Sequence, residues 1–299
     1  MANTLGTLAS GVILTRALEL VFSKRPILNR ISLDLSDETA KLGDTVTSRI
    51  HSIPPVGNFP SAAADKVDTD VPVVINNAKQ IRHTFTNAEL SSTDRNLVQE
   101  SAEPIAVAIA NHMVDAIAAL WLVANFANET VEPVLDCDYQ TLTRLREVLS
   151  GRGASDDRFA VVNGPVYTAL LNDPLCNRAA KTAGADPIAD GRLMNIAGFQ
   201  EIFEYPSLGL AAQNRIGFAG SKDSSVLASR LPANPAEVLP NATVPGNIGV
   251  ITEPKTGLSV MVAEWINMSS LSADIMVVWQ YGVANGNASN GQRLVSTAN

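Results

Sequence analysis

The sequence predicts an α+β protein in which one domain interrupts another. Three observations carry this reading. Strand-like segments at 44–51 and 71–86 flank a wide, aperiodic stretch over 52–70. A long apolar helix follows at about 104–126. A helix–strand–helix layer over 139–173 then separates that helix from a β-rich tail. At 299 residues the chain is one large domain or two linked ones, long enough to bury a core without staples. Hydrophobic residues make up 46% and charged residues 17%, against about 25% charged in ordinary proteins. Disorder is excluded, and the low surface charge points to surface that meets protein instead of water. Aromatics are only 5%, which disfavours a large aromatic cofactor pocket.

In chain order, residues 4–24 read as an amphipathic helix. Arg16 and Glu19 interrupt the apolar run from Leu5 to Phe22 and no basic region precedes it, so it is not a targeting signal. Ile31, Leu33 and Leu35 alternate with polar residues as a short extended segment. Gly43-Asp44-Thr45 is a turn opening a strand through Ile50. The stretch over 52–70 holds Pro54, Pro55, Gly57, Pro60 and a run of small residues at 61–64. With its flanking strands it reads as a β-hairpin with a wide tip. Arms of about a dozen residues would reach ~40 Å at 3.3 Å per residue. An arm of that length cannot bury itself in its own domain and needs a neighbour.

The strongest helical signal comes next. Ile105, Ile109, Met113, Ile117, Leu120, Trp121 and Ala124 recur at steps of mostly four and three, with alanines between them. Pro104 suits its first turn, and 91–102 reads as a shorter helix leading in, with Pro104 as kink or start. Leu142, Leu145, Val148 and Leu149 predict a helix over 139–150, ended by Gly151-Arg152-Gly153. Phe159 to Val162 reads as a buried strand and Pro165 to Leu171 as a helix stopped near Pro174. Residues 176–195 read as loop, Gln200–Tyr205 and Arg215–Phe218 as strands, and Lys222–Arg230 as a short helix. Prolines 232, 235, 240 and 245 mark an irregular connection. Leu258–Ala263, Ile275–Val283 and Arg293–Val295 are the tail strands, with a soft turn at Gly286–Gly291.

Function classes fall away on charge and motif. With 22 basic against 30 acidic residues the net charge is −8, which opposes tight nucleic-acid binding and adhesion to anionic membranes. The most apolar segment, 105–123, carries Asn111, His112 and Asp115, so no membrane span is expected. Cys137 and Cys176 form no C-x-x-C and read as buried free thiols. His51, His83 and His112 have no metal-ligand spacing; His112 and Asp115, one turn apart, read as a hydrogen-bonded structural pair. No serine stands in G-x-S-x-G, Ser221-Lys222-Asp223 reads as a helix cap, and Asp156-Asp157 as solvated acids. No catalytic residue, cofactor or metal is expected. One covalent chemistry is conceivable, with Lys66 near the hairpin tip attacking Asn285, Asn287 or Asn290 of a neighbour. An exposed lysine keeping the arm in solution is the simpler account, because a reactive amine needs desolvation.

The order of elements resembles the major capsid proteins of tailed phages, the Hong Kong phage capsid fold, and most of all the podovirus-type coat proteins. The resemblance covers about residues 43–299. It rests on Gly43-Asp44-Thr45-Val46, the wide hairpin, and Phe85-Thr86-Asn87-Ala88-Glu89-Leu90 leading to the long helix. It continues through Arg158-Phe159-Ala160-Val161-Val162-Asn163-Gly164-Pro165, Ala197-Gly198-Phe199, Ile216-Gly217-Phe218-Ala219 and Val278-Trp279-Gln280-Tyr281-Gly282-Val283. It implies an N-terminal arm at 1–42 and an extended loop at 43–80. It further implies a peripheral domain of 81–131 plus 249–299 built on the spine helix, and an axial α/β domain of 132–248. Pro54, Pro55, Phe59, Lys66 and Asp68 of the loop are then the candidate intersubunit contacts. The implied function is a structural shell subunit, not an enzyme. Its hexamers and pentamers would tile an icosahedral virion shell around double-stranded DNA, assembled in the host cytoplasm. The implied partners are copies of itself, a portal, a decoration protein and a scaffolding protein. No acidic or coiled-coil leader precedes residue 43, so the scaffold is expected as a separate protein. The same fold could instead serve as an encapsulin-like compartment; a hydrolase with an unrecognised site is the reading from another class.

Overall fold

The computed structural model describes residues 18–19, 25–50, 56, 68–92, 97–182, 184, 191–206, 208, 214–234, 246–253 and 256–297. Of the predicted helix over 4–24, Leu18 and Glu19 are helical and the rest lies outside the described residues. A 3-10 turn at Pro26–Arg30 leads into β1 (Ser32–Thr39). Gly43 takes φ +98°, a conformation that costs a glycine little, and turns the chain into β2 (Thr45–Ile50).

The predicted second arm over 71–86 is two strands, not one. β3 (Thr69–Val74) pairs antiparallel with β2, from Thr45 opposite Val74 to Ile50 opposite Thr69. Ile75 closes this ribbon by bonding back to the Gly43-Asp44 turn. β4 (Asn77–Phe85) then leaves to join another sheet. Each arm has 6 described residues, about 20 Å; residues 51–55 and 57–67, over which the expected hairpin would continue, lie outside the described residues.

α1 (Asn87–Ser92) opens on a reciprocal cap: the Glu89 carboxylate accepts from the Thr86 amide at 2.8 Å, and the Thr86 hydroxyl accepts from the Glu89 amide at 3.3 Å. α2 (Leu97–Ala118) is the spine, and Pro104 sits inside it instead of starting it. A proline there removes one helix hydrogen bond, at about 3 kcal/mol. The buried stripe of Ile105, Ile109, Met113 and Ile117 offsets that cost. The helix ends at Ala118, short of the expected 126.

β5 (Glu129–Val131) precedes α3 (Tyr139–Gly151), which Asp138 and Thr141 cap reciprocally. Arg152 is its C-cap, and Gly153 takes φ +75°. β6 (Arg158–Val162) is buried along its whole length, and Asn163 caps α4 (Gly164–Asn172). Pro174 does not lead into a loop. It opens α5 (Pro174–Thr182), a position where its missing donor costs nothing. β7 (Leu193–Ile196), β8 (Phe199–Glu204) and β9 (Arg215–Ser221) follow. The helix expected over Lys222–Arg230 is a three-residue 3-10 turn and then β10 (Ser225–Leu231). All seven residues of β10 are buried, so both faces are covered and strand alternation is invisible in the sequence. β11 (Asn247–Thr252), β12 (Ser259–Asn267), β13 (Ser272–Asn285) and β14 (Gly291–Val295) complete the chain.

The chain divides into two units. The first takes residues 1–26, 33–114 and 227–284; the second takes 27–32, 115–226 and 285–299. In the first unit a six-stranded sheet runs β1-β10-β13-β12-β11, with β4 also antiparallel to β13, from Phe85 opposite Ala273 to Asn77 opposite Tyr281. Gly282 lets β3 approach closely, since a Cβ there would lie 2.2 Å from the Val74 carbonyl oxygen. In the second unit the sheet order is β5-β14-β9-β6-β8-β7. One face packs Ala160, Val162, Ile202, Ile216 and Leu294 against Leu142, Leu145 and Leu149 of α3 and Val166 and Leu170 of α4. Elsewhere in this unit Trp121 stacks flat on Phe218, with centroids 4.5 Å apart, and Phe126 meets the same ring edge-on.

Candidate assembly surfaces

The β2–β3 ribbon alternates exposed and covered residues: Val71 and Val73 are buried while Thr69, Asp70, Pro72 and Val74 face water. Arg49 and Asp70 stand opposite each other in register and pair at 2.9 Å. The hydrogen bond that Arg49 donates to Asp70, and then the charge of Asp70, hold the Arg49 guanidinium above its ordinary value; Asp68 adds to this. Asp68, half-buried just before β3, is the one predicted contact residue that the structure describes. Pro54, Pro55, Phe59 and Lys66 lie outside the described residues. Of the asparagines considered beside Lys66, Asn287 accepts the Ser289 amide at 3.0 Å and Asn290 is buried, so both serve the turn before β14.

The turn joining β12 to β13 is a second surface, one that composition and spacing did not single out. Ile266, Met268 and Leu271 are 65%, 77% and 57% exposed within six residues. The turn is held by polar groups: the Ser269 amide and hydroxyl both donate to Asn267 Oδ1, and the hydroxyls of Ser270 and Ser272 meet at 2.8 Å. Its apolar side chains therefore carry no part of the turn's own hydrogen bonding. Beneath it, Arg82 lies 5.1 Å over the Trp265 ring and pairs with the buried Asp274 at 3.1 Å. The Thr84 hydroxyl, then Arg82 and Trp265, hold the Asp274 carboxyl below its usual range, against the opposing effect of burial. A braced neck thus presents an apolar tip. The sequence signal was there: Trp-Ile-Asn-Met-Ser-Ser-Leu places large apolar residues where a solvated turn would be polar.

A groove of about 400 Å³ lies between β4, α1 and α2, lined by Ile81, His83, Phe85, Glu89, Pro104 and Ile105 among others. Its floor is apolar and its rim acidic. No group of three His, Cys, Asp or Glu able to hold a metal occurs among the described residues.

The residues considered for chemistry are occupied structurally. The expected His112–Asp115 pair is not formed. His112 Nδ1 meets the Tyr281 hydroxyl at 2.7 Å, whereas Asp115 accepts from the Tyr205 hydroxyl. Each finds a tyrosine distant in sequence, Tyr281 on β13 and Tyr205 just after β8. Cys137 and Cys176 are free and buried; burial, aided by nearby acids, pushes the Cys137 thiol up to about 12 and the Cys176 thiol up as well. Ser221 is fully buried and its side chain makes no cap, contrary to expectation, because the segment it precedes is a single 3-10 turn leading into a strand.

No family model matches the chain, and no curated protein matches it significantly. Solved structures do. The capsid structure of the cyanophage P-SCSP1u is similar over 90% of this chain and 87% of that one, at 11% identity and a TM-score of 0.55. The capsid of Ralstonia phage GP4 matches over 90% and 87%, at 11% identity and a TM-score of 0.51. A virus-like particle from Pyrococcus furiosus matches over 94% and 97%, at 12% identity and a TM-score of 0.52. The chain has the Hong Kong phage-type capsid fold, the α+β fold of tailed-phage major capsid proteins.

Proposed function

We propose that this chain is a major capsid protein, a structural subunit whose hexamers and pentamers close into an icosahedral shell around double-stranded phage DNA. The observation that carries the reading is the likeness to phage capsid structures over about nine tenths of the chain. The apolar tip at 266–271 and the low charge content favour a surface made to meet copies of itself. A net charge of −8 suits a wall that encloses nucleic acid without gripping it.

On this reading residues 1–42 are the N-terminal arm and 43–80 the extended loop. Residues 81–131 with 249–299 form the peripheral domain and 132–248 the axial domain, β14 packing with the latter. Pro54, Pro55, Phe59, Lys66 and Asp68 touch a neighbouring subunit. A separate scaffolding protein, a portal and a decoration protein are the further partners, and the shell is assembled in the host cytoplasm and leaves in the virion.

The match to the Pyrococcus furiosus particle favours a second reading, an encapsulin-like shell around protein cargo. Expression of the chain, followed by light scattering and negative-stain microscopy, tests both. Megadalton closed particles are expected. Nuclease-protected DNA in particles recovered from phage-producing cells supports the capsid; a co-purifying enzyme inside them supports the compartment. A monodisperse monomer of about 30 kDa that never assembles overturns both readings.

A further inference from the structure

We propose that Arg215 on β9 and Arg293 on β14 hold a small inorganic monoanion of the chloride class, buried within the second unit. The ladder puts both side chains on one face of the sheet. Arg293 stands opposite Phe218 and Leu294 opposite Gly217, but a register shift then places Val295 opposite Arg215. Val295 and Arg293 share a face by strand alternation, so the irregularity brings Arg215 to that face as well. A regular ladder would have turned it into the apolar core on the other side.

Both guanidiniums are almost wholly removed from water, at 4% and 1% exposure. Each reaches the stretch that runs from the last residue of α2 to the first of β5. Arg215 donates to the carbonyls of Ala118 and Trp121, both at 2.8 Å. Arg293 donates through Nε to the Phe126 carbonyl at 2.6 Å and through a terminal nitrogen to Glu129 at 2.7 Å. One donor atom remains on each: Arg215 Nε and one terminal nitrogen of Arg293 are buried with no partner among the described residues. A buried donor left in that state costs about 1–3 kcal/mol, more when charged.

Charge decides between water and an ion. The two guanidiniums contribute two positive charges, and Glu129 is the carboxylate paired with one of them. The carbonyl end of α2 supplies roughly half a negative charge. Glu129 is 22% exposed and partly answered by solvent, so between about half and one and a half positive charges are left in the interior. Consistent with this, burial and then the charge of Arg293 pull the Arg215 guanidinium below its ordinary value. A water molecule would satisfy the donors and leave the charge; a monoanion answers both. The surroundings limit its size. Trp121, Phe126 and Phe218 are fully buried, and a Cβ at the nearby Gly291 would lie 2.5 Å from the Phe126 ring, so this close-packed neighbourhood favours an ion of halide size over a phosphoester or an organic acid. The bound ion would tie residues 119–128 to the sheet.

The test uses the full chain, as subunit or particle, and does not depend on the capsid reading. Thermal unfolding is followed in sodium gluconate with chloride or bromide titrated in at constant ionic strength. A saturable rise of several degrees is expected, lost in Arg215→Met. Since that variant may fold poorly, crystals of the unaltered protein grown in bromide supply the second readout. An anomalous peak within about 3.5 Å of Arg215 Nε and of Arg293 is expected. A transition midpoint that is the same in gluconate and chloride overturns the proposal. So does a site that holds only water, or bromide that appears only at molar concentration.

Discussion

The hairpin tip at 266–271 offers the sharpest test of assembly, because folding and association can be read separately there. The perturbation is Met268→Asp with Leu271→Asp. Burying a Met or Leu side chain is worth about 1.5–3 kcal/mol. With 77% and 57% of these side chains still exposed, covering both by a neighbour is worth roughly 2–4 kcal/mol per copy. Losing that raises the concentration needed for the contact about 30- to 1,000-fold, and every copy in a closed shell loses it at once. A carboxylate trapped under a neighbour adds a further penalty. Folding should barely respond, since exposed substitutions usually stay within about 0.5 kcal/mol. Leu271 takes φ +48°, a conformation that aspartate adopts more readily than leucine, so the turn itself is not strained by the change. The expected outcome is an unchanged circular-dichroism melt together with loss of megadalton particles in light scattering. Met268→Leu, of similar volume, should assemble normally. Particles forming at the unaltered concentration from the double variant would mean that the tip faces solvent in the assembly, and the reasoning would fail.

Other outcomes follow from the same geometry. Deleting 54–68 should leave the subunit folded and block closed-shell formation; intact particles would count against the loop's role. Gly282→Ala places a Cβ 2.2 Å from the Val74 carbonyl oxygen, a backbone atom that cannot swing aside, so the urea midpoint should fall by the equivalent of about 1–3 kcal/mol; an unchanged midpoint refutes the close approach. Asp274 is held below its usual value by the Thr84 hydroxyl and then Arg82, so it contributes stability above the unfolded carboxylate value of about 4 and loses it as pH falls through its lower folded value. Asp274→Asn should therefore flatten the acid-side loss of stability in urea melts, and an equal slope in both proteins would remove this account. Cys137, pushed up to about 12, and Cys176 should resist iodoacetamide in the native protein and react on unfolding; rapid native alkylation would contradict their burial.

Sequence spoke most clearly where one period and one boundary signal agreed. Leu142, Leu145 and Leu149 fall on the buried face of α3, and Asp138 caps it within one residue of the expected start. The apolar run at 159–162 is a strand because it is short and bounded by polar residues on one side and Asn163-Gly164-Pro165 on the other. Errors arose where tertiary cover erased the pattern. Val226, Leu227 and Ala228 are buried on both faces of β10, so nothing in their spacing separates strand from buried helix. Pro104 and Pro174 carry identical local chemistry, yet one sits inside a helix and the other starts one. Only the burial of the stripe after Pro104 decides the first case. The break at Ile75-Asn76 was equally hidden, because β4 is drawn off by its pairing with Ala273–Tyr281, nearly two hundred residues away.

The surfaces were less readable than the core for a related reason. An exposed leucine is ordinary in any protein, so Met268 and Leu271 acquire meaning only once the pairing of Trp265 with Asp274 places them at one turn. The same holds for Arg215. In sequence it is a strand-opening arginine like many others; a single register shift against β14 converts it to a buried charge. Identities of 11–12% with structures that share the fold fit this picture. Core positions accept any apolar residue of suitable size, so they preserve the fold while erasing sequence likeness. What distinguishes one chain of this fold from another must then lie in a few placed surface groups and buried charges, and those depend on register more than on composition.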